Sequence, residues 1–261
     1  MVAPTEPLTI VVGLGRAGVG VARLRRAEGQ RVLLLESNDS PQLRQRAEAL
    51  AGEGLEVRLG TALDGTAIAA LAPEEVVVSP GIRFDHPALV ELRGQGVPVR
   101  GEMGPAWRAM ADVPWIGITG TNGKTTVTLL VHHLLTQAGL DAPLCGNVGV
   151  SAAEVALQRR QGPRPDWLVV ELSSYQIEAS PELAPRLGLW TTLTPDHLER
   201  HGSLDNYRGI KRQLIEAAGE RVLNADDPDL RAHAHTWDRA FWVSGRVQRG
   251  NSGCSLHCTS G

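Results

Sequence analysis

Residues 117–126 read Gly-Ile-Thr-Gly-Thr-Asn-Gly-Lys-Thr-Thr, a run whose residue types suit the holding of phosphate. Gly120 and Gly123 let the backbone turn its N–H groups inward, where they and a following helix N-terminus can hold phosphate oxygens. Thr121 and Asn122 lie between them, Lys124 is placed to reach β and γ phosphates, and the Thr125 hydroxyl, with Thr126 behind it, is placed as a magnesium ligand. The general pattern G-x-x-x-x-G-K-[ST] asks for glycine at position 118, but the chain has Ile118, with Gly117 one place early. A plain strand–turn–helix therefore stays open beside the phosphate loop. Glu171 closes another apolar run, Trp167–Val170, as a second magnesium contact would, and Asp196 and His197 come just after the run Leu187–Leu193.

A second glycine-rich turn, Gly13-Leu-Gly-Arg-Ala-Gly18, follows the apolar run Leu8–Val12. It opens a helix to about Glu28, and the next strand, Arg31–Glu36, ends in a carboxylate. Such a G-x-G-x-x-G turn suggests NAD or a related dinucleotide, although it serves any ligand carrying a diphosphate. Ser79-Pro80-Gly81 follows a strand at Glu75–Ser79 and is expected to face the Gly13–Gly18 turn, unless it is only a tight turn that needs Pro and Gly for its backbone. By spacing alone Lys211, among Arg208, Arg212 and Glu216, reads as a solvated helix lysine, and His201 as an ordinary surface histidine. Cys254, His257 and Cys258 lie in a tail without periodic pattern and read as incidental rather than as a zinc site.

The elements that must position these residues alternate strand and helix. After residue 36 come a helix at 42–53, a strand at 56–58, a helix at 66–71, the strand at 75–79, a helix at 87–93 and a strand at 97–100, with a boundary near 111–114. A strand at 115–119 then leads into the phosphate loop and a helix along Val127, Leu130, Val131, Leu134 and Leu135. Residues 145–150 read as a glycine-rich turn before a helix at 151–160. Strands at 167–170, 187–193, 221–223 and 240–243 and a helix at 204–217 complete the pattern. The expected fold class is α/β, with a Rossmann-like N-terminal domain over residues 1–112 and a P-loop domain over residues 113–261.

With 261 residues the chain could hold one large domain or two ordinary ones and bury a sizeable core, and its net charge of −3 gives no polyelectrolyte signal, so neither nucleic acid nor an acidic membrane surface is expected as a partner. No basic leader or bilayer-length apolar run stands out, and three scattered cysteines suit a reducing compartment, so the expected location is cytoplasmic.

Six stretches, GITGTNGKTT at Gly117–Thr126, GNVG at Gly146–Gly149, ELSSYQIE at Glu171–Glu178, TPDH at Thr194–His197, YRGIK at Tyr207–Lys211 and VLNADD at Val222–Asp227, together resemble the Mur ligases of peptidoglycan synthesis. The resemblance runs from about Leu8 to Val243. The family's loop is typically TGTNGKT or TGSNGKS, which accounts for Ile118, and ELSSYQIE with GLGRAG and SPGI is similar to the D-glutamate-adding branch. The resemblance implies an ATP-dependent, amide-forming ligase. The γ-phosphoryl group of ATP passes to the alanine carboxylate of UDP-N-acetylmuramoyl-L-alanine, and the amine of D-glutamate then displaces phosphate from the acyl phosphate. It implies that Gly120, Thr121, Asn122, Gly123, Lys124, Thr125 and Thr126 bind ATP and that Lys124, His197 and Lys211 are catalytic. Thr125, Glu171, His197 and Lys211 would hold magnesium, two ions in all, with Lys211 carbamylated rather than solvated. Gly15, Arg16, Ala17, Glu36, Ser37, Ser79, Pro80 and Gly81 would hold the UDP portion, and Asn147, Ser173, Gln176 and His197 would face the muramoyl-alanine portion. Asn38 departs from a common arginine, and Thr192 from an asparagine that often precedes the Asp-His pair.

Family members continue with more of the ATPase domain and a third domain that supplies the D-glutamate site. The resemblance therefore implies a partial central domain here, an open sheet edge with uncovered apolar surface, and little or no ligase activity from this polypeptide alone. Two other readings stay open: a non-catalytic remnant that binds a UDP-sugar, and a dinucleotide-binding oxidoreductase, which leaves residues 117–126 without a task.

Overall fold

The computed structural model describes residues 6–245 and 259–260. The chain forms two compact units, one made of residues 1–111, 150–163 and 178–180, the other of residues 112–149, 164–177 and 181–261.

The first unit is a five-stranded parallel sheet in the order β3-β2-β1-β4-β5. Its elements are β1 Leu8–Val12, α1 Arg16–Ala27, β2 Arg31–Leu35, α2 Pro41–Gly52, β3 Glu56–Arg58, α3 Gly65–Ala69, β4 Glu75–Val78, α4 Pro87–Gly94, β5 Val99–Gly101 and α5 Met103–Ala109. β1, β2 and β4 are mostly apolar and, Arg31 apart, buried because both faces of the sheet are covered. Ile10, Val12, Leu33, Leu35, Val76 and Val78 meet Ile68 of α3 and Leu89 and Leu92 of α4. On the other face lies α1, packed against α7, Ala152–Gln158, which a capping box between Ser151 and Glu154 starts. Strand order reverses between β1 and β4, so the loops after these two strands open at a common crevice. Gly18 makes the turn possible, because a Cβ there would lie 2.1 Å from the Gly13 carbonyl oxygen.

The second unit has a seven-stranded sheet in the order β12-β11-β10-β9-β6-β8-β7, parallel except for β12. In chain order its elements are β6 Trp115–Thr119, α6 Lys124–Gln137, β7 Leu144–Gly146, β8 Leu168–Glu171, α8 Ser174–Ala179, β9 Leu187–Trp190, α9 Leu198–His201, α10 Leu204–Ala217, β10 Glu220–Asn224, α11 Pro228–Ala232, β11 Ala240–Val243 and β12 Thr259–Ser260. β6 is central, with β8 on one side and β9 on the other. Ile116, Ile118 and Val169 pack under α6, while Trp190, Leu223, Tyr207 and Ile215 form the core beneath α10 and α11. Among the described residues no helix is long and apolar enough to cross a membrane.

The structure departs from the sequence-based expectation at several places. The expected turn at 145–150 begins in the edge strand β7, the strand expected at 187–193 stops at Trp190, and α5, α8, α9 and α11 are additional. The apolar positions of α6 do not all face the sheet. Val127, Val131 and Leu135 do, whereas Leu130 and Leu134 are 54% and 58% exposed. Leu130 and Leu134 are one turn apart on a stripe turned away from the one at 127, 131 and 135. Leu129 on α6 and Phe241 and Val243 on β11 are also exposed.

Replacing Gly18 by Ala is expected to destabilise the first unit by about 1–3 kcal/mol, because the contact it creates is with backbone that cannot rotate away. Denaturant unfolding of the variant checks this, and an unchanged midpoint would show that the turn is looser than described.

Candidate active site

In the second unit, β6 delivers the chain to a loop whose first glycine, Gly120, has φ +150°, and whose last, Gly123, has φ +78° and begins α6 without a side-chain cap. The uncapped N–H groups of this 14-residue helix are those that favour an anion. Lys124, at the first helical position, folds back so that Nζ donates to the carbonyl oxygens of Gly120 at 3.0 Å and Thr121 at 2.9 Å. Lys211 arrives from α10 and donates to the same Gly120 oxygen at 2.9 Å, and to the Thr119 hydroxyl at 3.3 Å. These are the only two lysines in the sequence. Lys211 is 1% exposed, so the solvated reading drawn from spacing is corrected. The signal was present: Tyr207, Ile210, Lys211, Leu214 and Ile215 form the buried stripe of α10 at helical spacing, and the lysine lies within it. Burial, then the nearby charge of Lys124, pushes its pKa down to about 7.

Glu171, at the end of β8, is buried and takes hydrogen bonds from the Thr125 hydroxyl at 2.8 Å and the Asn147 amide at 2.7 Å. Thr125 and Glu171 thus bring together two hard oxygen donors beside the loop, as a magnesium ion would need. His197, in the left-handed region at φ +51°, is exposed and makes its contacts elsewhere, with Asp196 at 3.5 Å, Glu199 at 3.8 Å and the ring of Tyr175. Among the described residues no three His, Cys, Asp or Glu side chains converge as a metal cluster. Ser173 and Gln176 bond each other: the Gln176 carbonyl accepts from the Ser173 N–H at 2.9 Å and hydroxyl at 3.1 Å. Thr126 is exposed on the first turn of α6.

Residues to which the sequence assigned no part in the loop hold it in place. The Thr121 N–H donates to the Thr192 carbonyl and the Asn122 N–H to the Thr192 hydroxyl, at 2.8 and 2.9 Å. The Thr191 hydroxyl donates to the Asn122 carbonyl at 2.6 Å, and the Asn224 amide donates to the Thr191 carbonyl at 2.8 Å. A Cβ on Gly120 would lie 2.0 Å from the Thr191 hydroxyl, so the glycine is required by this close approach as well as by its φ. Beside the loop opens a cleft of about 520 Å³, lined by Asn122, Gly123, Val127, Trp190, Thr192 and Val222 among others. His201 is corrected as well: it is 4% exposed rather than on the surface, and its pKa is lowered to about 4, first by burial and then by the charge of Arg200. It lies on a four-residue helix, too short for a periodic signal. Cys254, His257 and Cys258 lie outside the described residues.

In the first unit, a cleft of about 860 Å³ is lined by Gly13–Ala17, Glu36–Asn38 and Ser79–Arg83, so Gly15, Arg16, Ala17, Glu36, Ser37, Ser79, Pro80 and Gly81 all border one space. The Ser79 hydroxyl donates to the Gly13 carbonyl at 3.3 Å. The Glu36 carboxylate accepts the N–H groups of Leu14 and Asn38, both at 3.0 Å. Burial pushes its pKa up, but those bonds and the Ser37 hydroxyl outweigh it, so the group stays below the usual range. Gly15 begins α1 with no side-chain cap, which leaves the N-terminal N–H groups of a 12-residue helix turned toward the cleft loops. Arg83 and His86 also line this cleft and were not anticipated.

The folded Lys211 gives up its proton at about pH 7, whereas the unfolded chain keeps it to an ordinary value of 10.5. Between these limits the unfolded state binds the additional proton, so stability rises with pH across that window. The unfolding midpoint of the natural chain should therefore increase from about pH 7 to about pH 9 relative to that of Lys211→Met. Parallel curves for the two proteins would contradict the buried, perturbed lysine.

Two family models match the chain in succession. Residues 118–251 match the family model described as the Mur ligase middle domain, and residues 8–101 match the one described as the Mur ligase MurD-like N-terminal domain. The UDP-N-acetylmuramoylalanine--D-glutamate ligase of Prochlorococcus marinus strain MIT 9313 is 56% identical over 240 residues, covering 90% of this chain and 52% of that protein. The protein of the same name from a Synechocystis strain is 48% identical over 239 residues, with 91% and 52% covered. The chain thus spans about half the length of the curated relatives it matches. Among solved structures, the UDP-N-acetylmuramate:L-alanyl-gamma-D-glutamyl-meso-diaminopimelate ligase from Neisseria meningitides superposes with a TM-score of 0.60 at 17% identity, covering 94% of this chain and 82% of that one. A murein peptide ligase from Psychrobacter arcticus gives 0.56 at 17% identity, covering 98% and 58%. At such identity these two establish the fold alone.

Proposed function

The chain belongs to the Mur ligase family, and we propose that it carries the UDP-substrate and ATP-phosphate sites of a D-glutamate-adding ligase of the cytoplasm. The UDP-substrate part is assigned to residues 1–112 and the ATP part to residues 113–261. The observation that carries this reading is the meeting of Lys124 and Lys211 on one carbonyl oxygen of a glycine loop that opens an uncapped helix. Two ammonium groups held that close repel, and an anion of high charge density offsets the repulsion. A triphosphate supplies one, and the apolar-walled cleft beside Asn122 and Gly123 suits the rest of a nucleotide.

In the proposed reaction a carboxylate oxygen of UDP-N-acetylmuramoyl-L-alanine attacks the γ-phosphorus and ADP leaves. The D-glutamate amine then attacks the acyl carbon, phosphate departs, and the nitrogen loses a proton to give the amide. Lys124 and the N-terminus of α6 offset charge as the phosphoryl group moves. Thr125 and Glu171 are assigned to magnesium, which when bound screens the phosphate oxygens from the incoming carboxylate. His197 is proposed as a further ligand and substrate contact. Lys211, partly neutral near pH 7, is suited to carbamylation: its amine attacks carbon dioxide, loses a proton and becomes an oxygen ligand for a second ion. Asn147, Ser173 and Gln176 are assigned to the muramoyl-alanine portion. In the first unit the uncapped start of α1 and the Gly15–Ala17 turn suit a diphosphate, and Glu36 with Ser37 the uracil ring. A redox reading of the same turn leaves both lysines unexplained. D-Glutamate has no assigned residue among those described.

Titration calorimetry with Mg-ATP and, separately, with UDP-N-acetylmuramoyl-L-alanine tests this function. Both should bind, and Lys124→Ala should weaken Mg-ATP by about 30-fold or more while sparing the UDP-sugar. Binding of the UDP-sugar alone would reduce the chain to a sugar-nucleotide binder, and binding of neither would overturn the reading.

A further inference from the structure

His201 has a place in the second unit that neither the loop motif nor the proposed chemistry uses. Its Nε2 lies 2.9 Å from the Ser174 hydroxyl at the start of α8, directly after the loop that follows Glu171. Its ring stacks on Tyr207 of α10, with centroids 5.2 Å apart and planes 30° apart, and touches Tyr175 at 5.4 Å. The Asn206 side chain, also on α10, donates to the His201 carbonyl at 2.9 Å. Tyr207 in turn joins the two parts of the phosphate site. The ammonium of Lys211 lies 4.5 Å from its ring centroid, and its hydroxyl is 3.4 Å from that of Thr121. Because the Thr121 hydroxyl gives its own hydrogen to the Thr194 carbonyl, the Tyr207 hydroxyl is the donor in that contact. The second ring nitrogen of His201, Nδ1, is buried with no hydrogen-bond partner. An apolar ring would fill the same space without that cost, so packing alone does not account for an imidazole here.

We propose that His201 is a positioning residue that fixes Tyr207, and through it Lys211, at the phosphate loop by tying α10 to Ser174. The proposal rests on reading Lys211 as a side chain of the phosphate site. Ser174 supplies the anchor, the imidazole spans from it to Tyr207, and Tyr207 carries both the ring face under the ammonium and the hydroxyl bonded to Thr121. Without the link, α10 keeps its apolar stripe against the sheet, but the end of the lysine side chain loses its fixed place.

Because the chain has only two lysines, amine labelling by trinitrobenzenesulfonate with peptide mass spectrometry reads Lys211 directly, with Lys124 as the internal reference. In His201→Leu, Lys211 should label about tenfold faster relative to Lys124, and in Ser174→Ala about threefold faster, both measured well below the unfolding midpoint. His201→Gln, whose amide can still donate to Ser174, should restore the ratio to within about twofold of the natural chain. A lowered melting temperature with an unchanged ratio in folded His201→Leu and Ser174→Ala would overturn the proposal and leave His201 as packing. If His201→Leu does not fold, Ser174→Ala and His201→Gln decide the question by the same ratios. The labelling needs no nucleotide, so it stands apart from the ATP reading: failure of Mg-ATP to bind would count against the function, and an unchanged ratio against this link.

Discussion

Two ammonium groups on one carbonyl oxygen is the arrangement on which the rest of the second unit depends. Lys124 reaches Gly120 from within the loop and Lys211 reaches it from α10, across the core. Arginine could not replace either lysine. A guanidinium is a broad planar fork that stays charged, whereas an ammonium is compact and can shed its proton when buried. Arginine serves in ion pairs elsewhere, such as Arg23 with Glu53, Arg25 with Glu75 and Arg208 with Asp229, and the sequence has lysine only at these two positions. For the arrangement to persist, the carbonyl must stay where it is, and this is the task of the bonds from Thr191 and Thr192 to the loop and of Asn224 to Thr191. The loops after β6, β9 and β10 are thereby joined into one rigid rim at the carboxyl ends of neighbouring strands.

The sheet explains why these loops converge. In both units the strand order reverses beside the strand that feeds the glycine turn, at β1 and β4 in the first and around β6 in the second. Each turn is followed by a helix of at least three turns that begins without a side-chain cap. The two units therefore repeat one physical solution for anions: uncapped N–H groups at the mouth of a parallel sheet. They differ in what surrounds it. The first adds a carboxylate, Glu36, held by the backbone N–H groups of Leu14 and Asn38, and suits a neutral ring with polar edges. The second adds two lysines, one of them buried and partly neutral near pH 7, and a buried glutamate bonded to a threonine hydroxyl, and suits the transfer of charge.

Much of this was legible in the sequence, for reasons that can be named. The parallel strands are buried on both faces, so they read as apolar runs, and the glycine turns that follow them read at once. The motif residues Lys124, Thr125, Glu171 and Asn147 follow strand ends, and the structure brings them to one rim. What escaped was of a different kind. Thr191 and Thr192 act mainly through short polar contacts between loops, which leave no periodicity. α9 is a single turn, so the burial of His201 could not be read from spacing. The stripe of α10 was visible, yet the charge of Lys211 led the spacing argument to place it in solvent. The two exposed leucines of α6 show the opposite error, apolar residues taken for core because they are apolar.

The central claim is that the shared carbonyl marks where phosphate is held. A crystal structure of the chain with magnesium and a non-hydrolysable ATP analogue tests it most directly. The account predicts phosphate oxygens bonded to the Lys124 ammonium and to the N–H groups of the Gly120–Thr125 loop, with Lys124 drawn off the Gly120 carbonyl toward them. Nucleotide bound elsewhere, or bound at the loop with Lys124 still folded onto Gly120 and Thr121, would contradict it.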